Sequence, residues 1–482
     1  NINGIEDLRS IRFMRMILKD FEVPVIFRFG TLDLVRGDWR RYNKSLNENL
    51  IYSSNTTVDI STVNILENEN RIPINYVLPP DIQREQINNN NTIVRQNEQS
   101  LSFRVCNLKP MDYRGVFKNV DIDLRQYKKL KMYIHAESIQ GNNPLPGEGS
   151  FDEYDRRIVA FLRLGTDYQD NYYQIEVPLK PTKFGENLSN RISSEDVWNP
   201  DFNSIDFPVE LLSKIKSKYL TRNSLTKASF FDEEMNEVDE FTPISNLSGS
   251  KYYRVSVKGN PSLGSIRTMM IGVKNPSTII GDNLCGEVWF NELRIAGIDN
   301  KGGWASIGSI DGNMADFLNF SGNTRYSSIG FGSIDQSPNQ RTREELFQYD
   351  FTTAADAAKL LPTSFGIQIP LNYSVGEVTI SPEFDPFYQD IKLKDRMQAS
   401  DSNEEKDRIR EQAIDYTKRK NISIVGVKKI STPKKKKFYN IENFDFSYSY
   451  NEIYHHDYEI ENQKNKNIRL QGNYGYNFQS LE

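Results

Sequence analysis

Cysteine and histidine are scarce in this 482-residue chain, with two of the first and three of the second. Neither Cys106 and Cys285 nor His135, His455 and His456 fall at metal-ligand spacing, so no metal site is expected. The two cysteines leave room for one disulfide or for two ordinary buried thiols, and buried thiols are the expectation. No run of 18 apolar residues occurs, which excludes a transmembrane helix. Excess charge of one sign is also missing. With 60 basic and 65 acidic side chains the formal charge is -5, and no basic footprint for nucleic acid forms. The basic stretch 36–42 reads as a solvated strand end. Catalytic signatures are lacking too: there is no Gly-rich phosphate loop, no nucleophile elbow and no histidine placed as a base. Acid pairs such as Asp121/Asp123 and Asp152/Glu153 are expected by chance among 65 acids. No enzyme and no cofactor are expected. The chain opens at Asn1 without a basic or apolar leader, so we expect a piece of a longer protein.

What the chain has is aromatic residues in alternation. Aromatics make up 12%, with 25 Tyr and 27 Phe. In 444–451, Phe444, Phe446, Tyr448 and Tyr450 take one side and Asp445, Ser447, Ser449 and Asn451 the other, as side chains do on a strand. In 468–478, Ile468, Leu470, Tyr474, Tyr476 and Phe478 oppose Arg469, Gln471, Asn473 and Asn477. Upstream, Phe365, Ile367, Ile369, Leu371, Tyr373 and Val375 oppose Gln368, Asn372 and Ser374. Leu318, Phe320 and Tyr326 oppose Asn319, Ser321, Asn323 and Arg325. Strands of about 10 residues with an apolar and a polar face are the pattern of a transmembrane barrel wall, and a soluble sheet with one solvated face alternates in the same way. The wet faces here are Asn, Ser, Gln and Gly rather than Lys or Glu, which favours the wall. A mean hydropathy of -0.62 is no objection, because alternation hides apolar residues from an average.

Taken in order, 11–18 reads as a short amphipathic helix and 25–35 as a strand. Residues 1–100 form an extended strand and loop region, with short strands near 57–66 and 74–78. Residues 101–298 read as a sandwich or jelly roll of short strands punctuated by Pro, Gly and Asn, with a helix at 207–216 and an acidic surface loop at 232–240. Trp198 and Trp289 suit core packing, with sugar stacking in an extracellular carbohydrate-binding module as the rival use. Asp167, Asp170 and Asn171 suit a polar turn, with calcium the rival. From 299 to 482 long strands return, interrupted by a charged helical loop at about 390–420. The lysines at 434–437 read as a hairpin tip, which beside a membrane meets anionic lipid.

Several stretches resemble the SprA (Sov) family: DLRSIRFMRM at 7–16, residues 29–42, DLRQYKKLKMYIHA at 123–136, FLRLGTDY at 161–168, VWFNELR at 288–294, GGW at 302–304 and DYTKRK at 415–420. That family is the giant outer-membrane translocon of bacterial type IX secretion, linked to gliding motility. The resemblance implies an all-β chain: a segment of a very large transmembrane β-barrel with a lateral opening and a cap of inserted domains at the cell surface. It implies conduction of folded cargo proteins, with a PorV-like shuttle protein and a periplasmic plug protein as partners and membrane lipid around the wall. On that view Leu318, Phe320, Phe365, Ile367, Ile369, Leu371, Tyr373, Phe444, Phe446, Tyr448, Tyr450, Leu470, Tyr474, Tyr476 and Phe478 face lipid. Asn319, Asn323, Gln368, Asn372, Ser447, Ser449, Gln471 and Asn473 face the lumen.

Overall fold

The computed structural model describes residues 39–477 apart from 48–54, 85, 90–91, 149–152, 184–191, 221–225, 316, 338–339, 399, 401 and 431–436, together with Lys19, Val23 and Ile26. The helix expected at 11–18 and most of the strand expected at 25–35 lie outside the described residues, as do Phe478 and the lysines at 434–436.

Antiparallel strands dominate, and the chain is all-β with few helices. Residues 40–298 build two main sheets and a separate hairpin of Gln86–Asn89 with Thr92–Arg95. The larger runs Arg40–Arg41, Tyr113–Ile122, Ile266–Lys274, Val159–Gly165, Tyr172–Pro178, Arg254–Lys258, Ser229–Phe231, Glu237–Val238, and the smaller runs Ser204–Pro208, Tyr127–Ser138, Leu284–Ile298, Gln99–Leu108, Thr57–Asn64. Alternation places Phe103, Val105, Ile134 and Val288 of the smaller sheet in one buried cluster with Leu162, Ile175, Val255 and Ile271 of the larger. Each fully covered side chain of this size contributes about 1.5–3 kcal/mol. Trp289 points the opposite way to Val288 and is buried under Tyr76 and Trp198.

Several local expectations shift. Residues 74–78 form no strand; Ile74 and Tyr76 are instead wholly buried against the back of the smaller sheet. Helix α1 starts at Val209 and runs to Leu220, because Ser204–Pro208 is claimed by pairing with Tyr127–Ser138. Pro208 ends that strand, and its fixed φ and missing N–H suit a helix entry. The acidic segment 232–240 includes the short strand Glu237–Val238. The cysteines correct the expectation of thiols: Cys106 and Cys285 form a disulfide between the paired strands Gln99–Leu108 and Leu284–Ile298.

From Ala305 onward the strands are long and follow one another as a meander: β1 (Ala305–Met314), β2 (Leu318–Ser327), β3 (Glu344–Asp356), β4 (Pro370–Pro382), β5 (Asp415–Lys429), β6 (Phe444–His456) and β7 (Gln463–Tyr474). Ile367–Gln368 adds a short pairing to the end of β5. The sheet is open, with β1 and β7 at its edges, and no closed barrel is seen. At one end the connections are 315–317, 357–369 and 430–443. At the other are 328–343, the long 383–414, 457–462 and the link to Ile298. The 383–414 connection carries α2 (Leu393–Gln398) and α3 (Asn403–Ala413). Strand β5 begins at Asp415, so the charged stretch read as helical to 420 yields its last residues to the sheet. Tyr416, Lys418, Lys420 and Ile422 alternate with Thr417, Arg419 and Asn421, and pairing with β4 and β6 on both sides fixes them as strand.

Candidate functional site

The register of the long sheet lines up its alternating residues in rows. One row reads Met314, Leu318, Ala355, Leu371, Ile424, Tyr448, Leu470 across all seven strands, and another Gly312, Phe320, Thr353, Tyr373, Ile422, Tyr450, Ile468. Between them lies the row Asn313, Asn319, Ala354, Asn372, Ser423, Ser449, Arg469, and beyond them Asp311, Ser321, Thr352, Ser374, Asn421, Asn451, Asn467. Adjacent rows project from opposite faces. One face is therefore aliphatic and aromatic, and the other is amide and hydroxyl. Each pattern carries across seven strands, with Thr353 an exception on the apolar face and Ala354 on the polar one, which one segment of sequence does not show.

The apolar face is bare. Leu470 is 80% and Ile468 60% exposed, and Phe446 is 56% exposed. The Phe444 ring lies tilted against that of Tyr474, its register partner, with ring centroids 4.9 Å apart. Phe446 lies opposite Gly472. A bulge between Ile424 and Val427 keeps the face intact where β5 ends: Gly426 takes φ 74°, open to glycine at little cost, and Val427 then pairs with Phe446.

The polar face holds an open trough of about 750 Å³ lined by Asp311, Asn319, Ser321, Thr352, Asn372, Ser374 and Asn421 among others. Its amides bond to one another. Asn313 Nδ2 donates to Asn319 Oδ1 at 2.7 Å, Asn421 Nδ2 to Asn451 Oδ1 at 2.6 Å and Asn473 Nδ2 to Asp445 Oδ1 at 2.9 Å. Ser447 pairs with Gln471, and its hydroxyl accepts from Gly426 N–H at 3.0 Å. Charges do occur on this face, among them Asp311, Arg325, Asp350, Arg419, Asp445 and Arg469.

The residues singled out in the sequence thus divide. Leu318, Leu371, Tyr448 and Leu470 share a row, as do Phe320, Tyr373 and Tyr450. Asn319, Asn372 and Ser449 share a third, while Asn323 sits lower, beside Asp350. Gln368 and Ile367 lie in the short pairing with Lys428 and Lys429, and Ile369 precedes β4. Phe365 is off the sheet, in the 3-10 turn Thr363–Phe365, where Gly366 at φ 52° reverses the chain before pairing begins. Tyr476 follows the end of β7. Sequence reading missed β3, whose Phe347, Tyr349 and Phe351 alternate with Gln348, Asp350 and Thr352 plainly enough to be found. It also missed Ile422, Ile424, Asn421 and Ser423, masked by the lysines just before them.

Rival sites in the sandwich are occupied by their own structure. Trp198 and Trp289 are completely buried, which removes them from sugar stacking. The Asp167 carboxylate accepts from the N–H of Gln169, Asp170 and Asn171 and from Asn171 Nδ2. Burial alone would raise its pKa, but these donors hold it at about 2. Among the described residues no group of three metal-binding side chains converges.

The SprA_N family of motility related/secretion proteins matches residues 1–397. The chain belongs to that family. The SprA_N match covers the sandwich, β1 to β4 and α2, and strands β5 to β7 continue the same meander beyond it. No curated protein matches the chain.

Proposed function

We propose that the long sheet is part of the wall of an outer-membrane protein-conducting barrel, the translocon of type IX secretion, which passes folded cargo proteins to the cell surface and supports gliding motility. The observation that carries this reading is the pair of continuous faces, one bare and apolar, one amide and hydroxyl. A soluble sheet of seven strands buries its apolar face under another layer; this one leaves Leu470 and Ile468 open. Strand length agrees. The 13 residues of β6 extend about 44 Å at ~3.4 Å each, and at a tilt of about 40° that exceeds the ~30 Å hydrocarbon layer. An open edge in lipid is untenable, so β1 and β7 pair with further strands of the same wall.

On this reading Leu318, Phe320, Leu371, Tyr373, Tyr448, Tyr450 and Leu470 face lipid, and Asn319, Asn372, Ser449 and Gln471 face a wide water-filled lumen. The amides and hydroxyls of the lumen face, already bonded to one another, offer cargo little to hold. No catalysis is assigned. A PorV-like shuttle protein at the lateral opening and a periplasmic plug protein are the expected partners. Barrels of this kind carry their longer loops outside the cell. The sandwich and the 383–414 connection share the long-loop end, which makes the sandwich part of an external cap.

Cysteine labelling in intact cells tests the wall. With Phe446→Cys and Ser447→Cys made separately, the Ser447 thiol should react with a water-soluble reagent and the Phe446 thiol only with a lipid-soluble one. Equal reaction with the soluble reagent at both positions means a soluble sheet and sinks the proposal.

A further inference from the structure

The apolar face of the long sheet does not run to its end. Past the row Tyr373, Ile422, Tyr450, Ile468, the next positions on the same face are Val375, Lys420, Glu452, Lys466, and then Glu377, Lys418, Tyr454, Lys464. Four lysines and two glutamates thus meet on neighbouring strands directly above the exposed aliphatic and aromatic band. Two of the lysines are neutralised within the sheet, Lys418 by Glu377 at 2.7 Å and Lys464 by Glu452 at 2.8 Å. Glu452 also accepts from the Tyr450 hydroxyl. Lys420 and Lys466 flank Glu452 on β5 and β7 and make no ion pair among the described residues. The margin lies toward the end that carries the sandwich link and the 383–414 connection.

We infer that Lys420 and Lys466, with the Tyr454 hydroxyl beside them, bind the phosphate groups of anionic lipid headgroups in the leaflet on the long-loop side. This rests on the barrel-wall reading. A net positive margin directly over an apolar band fits an amphiphile, whose acyl chains lie on Tyr450, Ile468 and Leu470 while its phosphate reaches the two ammonium groups. Inorganic phosphate would gain nothing from the band. Lysine stems extend along the strand to bring the charge to the water interface, and tyrosines at that level bond headgroups from the apolar side. The Lys–Glu–Lys order across β5, β6 and β7 sets the two lysines on either side of one acid, and that acid is already paired with Lys464.

The test uses the full-length chain purified in mixed micelles of phosphatidylglycerol and phosphatidylcholine in equal parts, with bound lipid counted by native mass spectrometry. Wild type should retain phosphatidylglycerol in preference to phosphatidylcholine. K420Q/K466Q should lose phosphatidylglycerol retention by roughly 25-fold, about fivefold per lysine, with phosphatidylcholine unchanged. K420R/K466R should retain it. Unchanged phosphatidylglycerol retention in K420Q/K466Q overturns the inference, as does inorganic phosphate displacing the lipid at equal concentration. The Phe446 and Ser447 labelling, repeated in the double variant, reports whether the sheet is still in place. A shielded Phe446 thiol with lipid retention indifferent to the lysines removes this site and leaves the wall standing.

Discussion

Glu176 is fully buried in the larger sheet of the sandwich, and its carboxylate is held by Lys274 Nζ at 3.3 Å, Arg254 Nη1 at 3.3 Å and Gln174 Nε2 at 2.7 Å. Burial pushes its pKa up, but the two cations and the amide outweigh burial and leave it below the ordinary value. The unfolded carboxyl therefore takes its proton first as pH falls, so this contribution is complete above about pH 4.5 and is lost progressively below it. Asp167 adds a second step between its ordinary 3.8 and about 2. Thermal unfolding between pH 7 and pH 2 should show a midpoint that is flat above pH 5 and falls below pH 4.5. K274M should destabilise the sandwich at neutral pH, because it leaves the buried carboxylate with Arg254 as its one remaining cation among the described residues, and should move the acid limb to higher pH. The disulfide is a second residue-scale matter. Cys106 and Cys285 lie 179 residues apart in the chain, and nothing local joins them; the pairing of their strands does. C106S, or reduction, should lower unfolding stability by about 2–5 kcal/mol without altering the long sheet.

At the scale of strands, the alternation around Phe446 and Leu470 was legible because side-chain period depends only on the local backbone. Register was not, since it depends on which strands pair, and only register shows that Leu318 and Leu470 stand in one row five strands apart. The start of β5 was hidden for a different reason: Lys418, Arg419 and Lys420 carry helix propensity that pairing on both sides overrides. Phe365 fits the alternation by spacing alone, yet Gly366 breaks the strand after it. The faces make an unequal prediction. L470R places a charge on the apolar face and should destabilise insertion by about 2–4 kcal/mol if the row sits near mid-membrane, seen as lost outer-membrane protein in cell fractions. S449R, on the adjacent row and the other face, should leave the amount unchanged but, with N372R, slow secretion of cargo by adding charge to the lumen. Equal loss of protein from L470R and S449R would mean the faces do not differ in surroundings.

Across the whole molecule, the 383–414 connection ties the sandwich to the long sheet. Asp390, ahead of α2, enters the sandwich and is completely covered there. Lys216 of α1 donates to its Oδ1 at 2.6 Å and to Pro261 O at 2.6 Å, and the Tyr173 hydroxyl also donates to the same carboxylate. Leu263 N–H approaches Oδ2 at 3.4 Å. Beside it Arg125 reaches Gln389 O at 3.2 Å and lies over the Phe384 ring. Within the connection, Asp385 accepts from Phe387 and Tyr388 N–H and pairs with Arg396, so the loop is pre-shaped to present Asp390. Burial lowers the Lys216 pKa, which the Asp390 charge opposes; each charge depends on the other to stay buried. A single truncation leaves one charge stranded at a cost of about 3–5 kcal/mol, whereas removing both is far cheaper. K216M should therefore expose the connection to trypsin at Lys394, Arg396, Lys406 and Arg408 about 100-fold faster, since cleavage follows the open population, and D390N should do so more modestly. K216M/D390L should restore much of the protection. If the double variant is cut as fast as K216M, the cation was acting through Pro261 alone, and the sandwich is held to the sheet by Arg125 and the covalent link at 299–304 instead.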